Sequence, residues 1–247
     1  MKNIRFFYNN LFDAATLTLS SEDPDFPGAN LQHQHHTLYW LGTSTTVQVT
    51  WDFGAAKSID AFIGKYHNIT AGATVTLSCD DNPSFTSPES HVLPVTDPLV
   101  YLWDIASPVS YRYFRLDVSG SGSNVYLGRI FSGASWSPVR NFDNLYTRRL
   151  VDPSPRQYSI GNQIFSNLQA MYRVYKLDFK YLSAADMAIF QTMFEEYCGL
   201  TRPFFVSVDP DNAAENPLYV LFSEDIEVNH VFMDAAYDIS IQVKGAQ

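Results

Sequence analysis

Chemistry in this chain has to come from a short set of side chains. His33, His35 and His36 crowd into the run Gln32-His33-Gln34-His35-His36, with Tyr39 and Trp40 just behind. Imidazoles two residues apart can ligate zinc, and next to aromatic rings they can hydrogen-bond a sugar hydroxyl or a carboxylate. No Cys or carboxylate lies within a few positions to complete a tetrahedral site, so polar residues filling an exposed loop are the simpler account. The acidic pairs are Asp80-Asp81, Asp209 with Asp211, and Glu224-Asp225. Glycoside hydrolysis needs two carboxylates held across a cleft, whereas Asp80-Asp81-Asn82-Pro83-Ser84 and Asp209-Pro210-Asp211-Asn212 are turn chemistry. The second run also lacks the Gly and distal Glu of a calcium loop. There is no G-x-S-x-G, P-loop or Rossmann glycine pattern, and neither His67 nor His91 has a nucleophile beside it. The expectation is a protein without catalytic centre, cofactor or bound metal.

Aromatic side chains remain as binding groups, since their faces suit the apolar faces of pyranose rings. Of the four tryptophans, Trp51 alternates with Val47 and Val49 and belongs to a core. Trp40 follows a loop and Trp103 precedes one, so both are open to packing or ligand contact. The candidate ligand set is therefore His33, His35, His36, Tyr39, Trp40 and Trp103. Arg112 and Arg115 fit structural salt bridges.

These residues need a scaffold, and Ser110 to Gly133 is its most legible piece. Tyr111, Tyr113, Leu116 and Val118 alternate with polar residues, Phe114 falls out of phase, and Val125, Leu127 and Ile130 follow a Ser/Gly turn. Gly120 and Gly122 tolerate a positive φ, so the pattern predicts a β-hairpin.

The order of residue types in that segment resembles the last two strands of discoidin-like domains, which are galactose-binding-like jelly rolls. Pro27-Gly28-Ala29-Asn30-Leu31 with Thr37 and Trp40 is similar to that family's opening. Val47-Gln48-Val49-Thr50-Trp51-Asp52-Phe53-Gly54 is similar to its strand ending in Asp-aromatic-Gly. Ile59 to Ile63, Ala73 to Ser78, the polar loop Cys79 to Ser90, and Trp103-Asp104 follow in the family's order. The resemblance covers roughly residues 10 to 133 and implies a ligand or partner surface rather than a catalytic centre. Sugar-binding members often carry an Asp-Gly pair near a structural calcium. Gln32 to His36 stands there instead, without a carboxylate, so no calcium site is expected in that loop.

A small-residue break, Ser132-Gly133-Ala134-Ser135, places a domain boundary near 134. Beyond it Val139 to Ile160 is polar and strand-like, with Asp152-Pro153-Ser154-Pro155 marking a turn. Tyr172 to Tyr181 reads as a strand. Ser183 is an N-cap with Asp186 three residues on, and Met187, Phe190, Met193, Phe194 and Tyr197 keep helical spacing until Gly199. Strands over Phe204 to Val208, Leu218 to Phe222 and Tyr237 to Val243 complete the half. Lys176-Leu177-Asp178-Phe179, Leu182-Ser183, Pro203-Phe204-Phe205 and Ile239-Ser240-Ile241-Gln242-Val243 resemble the tail-tube-like domains of tailed bacteriophages.

Composition excludes several alternatives. A hydrophobic fraction of 46% with 15% aromatic residues can bury a sizeable core. The formal charge of −10 divides evenly: residues 1–134 hold 7 Lys/Arg against 12 Asp/Glu, and 135–247 hold 9 against 14. An acidic chain without a basic patch does not suit nucleic acid, and no segment approaches a membrane span. The first ten residues lack the apolar core of a signal peptide. Cys79 and Cys198 fall in different halves, so no disulfide framework is expected.

The expectation is thus a mainly β protein: a galactose-binding-like jelly-roll sandwich over 1–134, then a tail-tube-like β domain over 135–247 with one helix over 183–198. The two resemblances together imply a structural virion component of a phage tail tip or baseplate, made in the host cytoplasm. Its partners would be other tail proteins and a host-surface glycan, and it would form a homo-oligomeric ring. The alternative is a carbohydrate-binding module or accessory protein of a polysaccharide-degrading system.

Overall fold

The computed structural model describes residues 2–35, 37–95, 100–143, 146–211, 217–231 and 236–246, without the side chains of 100–107 and 231. Residues 5–136, with 210, 211 and 217, form one compact unit; residues 2–4, 137–209 and 218–246 form another.

The first unit holds β1 (Arg5–Phe7), β2 (Thr16–Leu19), β3 (Trp40–Leu41), β4 (Val47–His67), β5 (Thr74–Asp80), β6 (Glu89–Leu93), β7 (Val100–Ser119) and β8 (Tyr126–Gly133). Two long antiparallel strands, β4 and β7, run through both halves of the fold. Val47–Asp52 of β4 lies between β2 and Tyr113–Val118 of β7, whose far edge pairs β5, and β5 pairs β6. After register shifts between Asp52 and Lys57 and between Ile59 and Ala61, the second half of β4 lies between the first half of β7 and β8, which pairs β3. Such irregularities bend strands, and here they carry both from one layer to the next. Val49, Trp51, Leu77, Phe114 and Leu116 from one half share a single core with Trp40, Ile59, Phe62, Leu127 and Ile130 from the other. This is a jelly-roll sandwich.

Two expectations change. The runs Val47 to Gly54 and Ile59 to Ile63 are one strand rather than two. The Ser110 to Gly133 hairpin does not form, because β4 lies between β7 and β8. Both edges of β7 are already taken by β4 and β5, so β8 crosses to the far edge of β4. The shift opposite Asp52 also explains the broken alternation: Phe114, Leu116 and Val118 face the core, and Tyr111 and Tyr113 are only partly buried.

The segment at the expected boundary near 134 is tightly packed. Ser132 and Gly133 are buried, and a Cβ on Gly133 would lie 2.5 Å from the Asn9 carbonyl oxygen. Ser135 donates its N–H and its hydroxyl to the Asp60 carboxylate, at 2.7 and 2.9 Å. Trp136 exchanges backbone hydrogen bonds with Phe6 at 2.8 and 2.9 Å, and the two rings stack. These small residues pack closely, and Trp136 is the last residue of the first unit before the chain passes into the second.

The second unit contains β9 (Thr147–Val151), β10 (Arg156–Tyr158), β11 (Ile164–Ser166), β12 (Tyr172–Leu182), β13 (Phe204–Ser207), β14 (Leu218–Phe222), β15 (Glu227–Val231) and β16 (Ala236–Gly245). Its sheet runs β13-β14-β16-β12-β9, with β15 beside β14 along the same edge of β16. The helix starts where expected. The Ser183 hydroxyl accepts from the Asp186 N–H at 3.1 Å and donates to its carboxylate at 2.9 Å. Helix α1 (Ala184–Thr192) continues as a wider π-helical turn, Met193–Cys198, and Gly199 ends it at φ 50°. Its buried Phe190 and half-buried Phe194 pack edge-on against Phe179 of β12 and Phe222 of β14, which holds the helix on its own sheet. Strand β15 went unrecognised: Glu227-Val228-Asn229-His230-Val231 is too polar to read as a strand, and its pairing with β16 defines it.

Candidate functional site

The strongest surface arrangement in the first unit is a set of half-buried phenols around Tyr39. Its ring centre lies 5.0 Å from that of Tyr126 and 6.1 Å from that of Tyr66, and Tyr66 and Tyr126 are 5.5 Å apart. Phe26 stacks on Tyr39 at 4.6 Å with planes 9° apart. Strand pairing brings the group together. Trp40 and Leu41 pair with Leu127 and Tyr126, and His67 pairs with Leu127, so the start of β8 meets the start of β3 and the end of β4. The Leu41 N–H donates to the Phe26 carbonyl at 3.1 Å, and Asn30 Nδ2 donates to the Tyr39 carbonyl at 2.9 Å.

Tyr66 sits in left-handed backbone, at φ 63°. For a residue with a Cβ this costs about 1 kcal/mol, and such strain persists only where the surroundings over-determine it. Asn68 is the clamp. Its Oδ1 accepts from the Tyr126 N–H at 2.9 Å and its Nδ2 donates to the Asn124 carbonyl at 2.7 Å, while His67 Nδ1 accepts from the Ile69 N–H. Burial raises the Tyr126 phenol above its ordinary value, and the nearby Tyr66 and Tyr39 add to this. The hydroxyl therefore stays protonated and can donate.

The expected ligand residues divide. Tyr39 is at the centre of the cluster. His33 and His35 are exposed in the same loop, with rings stacked at 5.2 Å. Trp40 is a correction: it is 0% exposed, packs in the core and donates Nε1–H to the Ser21 carbonyl, so it offers no face to a ligand. His36 lies outside the described residues, as does the side chain of Trp103, whose backbone pairs with Phe62. Sequence reasoning missed Phe26, Tyr66 and Tyr126. The available signal was a Tyr at the end of one strand and at the start of another.

The remaining candidates have structural roles. Arg112 makes a bidentate bond to Asp52, both contacts 2.8 Å, and holds that carboxyl below its ordinary value. Arg115 pairs with Asp117 at 2.8 Å. Asp80 accepts from the Asn82 and Ser87 N–H groups, and Asn82 from Ser84, which is turn chemistry as expected.

Among the described residues one group has metal-ligating types close together: Cys79, Glu89 and His91, their ligand atoms within 4.8 Å. These groups already bond one another. His91 Nε2 lies 3.0 Å from Glu89 Oε1, the Tyr111 hydroxyl donates to Glu89 Oε2 at 3.1 Å, and Cys79 Sγ donates to the Glu89 carbonyl. Glu89 and His91 pair across from Cys79 and Leu77, hence on the core-facing side of β6 at the sheet's edge. Inward-pointing charges of this kind guard an edge strand against pairing with another chain. Burial, with Glu89 and Asp80 adding to it, pushes the Cys79 thiol up to about 12, and burial does the same to Cys198. Neither is a thiolate at neutral pH. A thiol reagent at pH 8 is expected to label neither cysteine of the native protein within minutes and both after denaturation; fast labelling of one native thiol would contradict this burial.

No family model matches the chain, and no curated protein matches it. Among solved structures, a fucose-binding module of Streptococcus pneumoniae is similar at 12% identity, with 51% of this chain and 95% of that one covered and a TM-score of 0.43. A family 32 carbohydrate-binding module of Clostridium perfringens, solved with galactose, is similar at 9% identity over 53% of this chain and 99% of that one, TM-score 0.42. A third, SpGH29, is 16% identical with a TM-score of 0.43; the match covers 52% of this chain but spans only 28% of that protein.

Proposed function

We propose that this protein is a non-catalytic glycan-binding protein, and that Tyr39, Tyr66 and Tyr126 form the binding surface of its jelly roll. The observation that carries this reading is the phenol cluster clamped around the strained Tyr66. Rigid half-buried rings accept the apolar C–H face of a sugar, while phenol hydroxyls and the exposed His33 and His35 imidazoles supply the hydrogen bonds that orient its hydroxyls. The resemblance to discoidin-like domains points to the same use.

The test is a glycan array followed by calorimetry on the glycans retained. Tyr126→Ala should weaken binding at least about tenfold, an ordinary loss for one stacked ring with its hydrogen bond. Tyr66→Phe should cost less, since it keeps ring and backbone and loses only the hydroxyl. If the array retains no glycan, or if both variants bind like the wild type, the reading fails.

A second reading makes the chain a structural component of a phage tail tip or baseplate, assembled as a ring with other tail proteins. It draws on the tail-tube-like resemblance of residues 135–247 and on an exposed apolar hairpin in that unit. Mass spectrometry of purified particles decides it, because a structural component must be present in them in fixed stoichiometry.

A further inference from the structure

Among the described residues, strands β10 and β11 pair only with each other, outside the main sheet of the second unit. Ser159 and Asn162 close the hairpin: the Asn162 N–H donates to the Ser159 carbonyl at 2.9 Å, and Asn162 takes φ 57°. From Arg156 to Met171 every residue except Ser159 is exposed. Tyr158 is 63% exposed, Ile160 111%, Ile164 61%, Phe165 59% and Leu168 85%. Register places Tyr158 and Ile164 side by side on one face of the hairpin and Phe165 on the other. A two-stranded hairpin is marginal by itself in water, and exposed apolar side chains on both of its faces mark a contact with another macromolecule.

Charge narrows the partner. Residues 147–173 carry four arginines against one aspartate, a net +3, in a chain of formal charge −10; the remaining residues therefore carry −13. A surface of matching character lies in the same unit. A groove between α1 and β15, about 470 Å³, is lined by Met187, Phe194, Ile226, Val228 and Tyr237, with Glu195 at its edge. Glu224, Asp225 and Glu227, all exposed, flank Ile226 in the chain.

We propose that the apolar hairpin of one copy, with Arg156 and the arginines of β9 and β12 at its base, docks into the acid-rimmed α1–β15 groove of a second copy of this chain. The contact joins unlike surfaces, so each copy keeps a free hairpin and a free groove. Association then continues until a ring closes or a filament grows, and does not stop at a dimer. The proposal is independent of glycan binding and of the particle in which the chain resides.

The test is sedimentation of the full chain across concentration and salt. Wild type should form species larger than dimers at low salt, and raising salt from about 0.05 to 0.5 M should weaken them as the charges are screened. Ile160→Asp with Phe165→Asp should raise the concentration needed by at least about tenfold, with the melting temperature unchanged because both side chains are exposed. Arg149→Glu with Arg156→Glu should likewise block assembly, as should Glu224→Arg with Glu227→Arg, and mixing these two charge-reversed proteins should restore it. A wild type monomeric to about 0.5 mM overturns the proposal. So does association that the hairpin substitutions leave intact, or that the groove substitutions leave intact.

Discussion

Replacing Asp13 by Ala is expected to destabilise the jelly roll by about 3 kcal/mol or more. The Arg129 guanidinium is 4% exposed and makes a two-pronged bond to Asp13, Nη1 to Oδ1 and Nη2 to Oδ2, both 2.6 Å. Removing the carboxylate takes two charge-assisted hydrogen bonds from a buried cation, which costs more than losing an ion pair exposed on both sides. The pair also anchors the segment before β2. Asn10 Nδ2 donates to Asp13 and to the Ile130 carbonyl, both at 2.8 Å, and Asn10 Oδ1 accepts from the Ser132 N–H. The coupling between the two side chains is read from a double-mutant cycle of Asp13→Ala and Arg129→Met, which should show a favourable interaction energy. All four tryptophans lie within residues 5–136, so their fluorescence during urea unfolding reports on this unit selectively. A single-substitution cost below about 1 kcal/mol would show that water reaches Arg129.

Trp51→Ala should cost a comparable 3–5 kcal/mol, whereas Trp51→Phe should cost far less. The indole is fully buried between Phe62 and Phe114, stacked on each at 5.9 Å, and Phe12 meets it edge-on at 5.3 Å. Truncation to Ala opens a cavity among three aromatic rings from both halves of the sandwich, and close-packed walls collapse only partly. Phe retains one ring of the stack. It also removes Nε1–H, which is buried without an acceptor among the described residues, and losing an unsatisfied donor offsets part of the lost packing. Urea midpoints for the two variants separate these effects. Equal costs for Phe and Ala would mean that the six-membered ring contributes little and the indole shape decides the packing.

Much of the local structure was legible because short-range rules govern it. The helix start could be read from Ser183 and Asp186, its face from Phe190 and Met193, and its end from Gly199. Those signals act within one or two turns of the chain. The strand at Tyr172 to Leu182 and the turn at Asp80 to Ser84 were legible for the same reason. The long hairpin was misread because its alternation describes which face a strand buries and says nothing about its neighbours. Pairing β4 with β7 and β8 joins residues 35 to 72 positions apart, and no local pattern records that.

By itself, then, the sequence determined a mainly β chain with an apolar core, one capped helix, and Trp51 as a core residue, since periodicity and capping are properties of neighbouring residues. Only the tertiary structure decided which aromatics reach the surface. Trp40 and Tyr39 are adjacent, and a strand sends adjacent side chains to opposite faces, so one is wholly buried and the other joins the phenol cluster. Tyr66 and Tyr126 meet Tyr39 because β3, β4 and β8 come together at one end of the sandwich. The phenol cluster is a product of that long-range pairing.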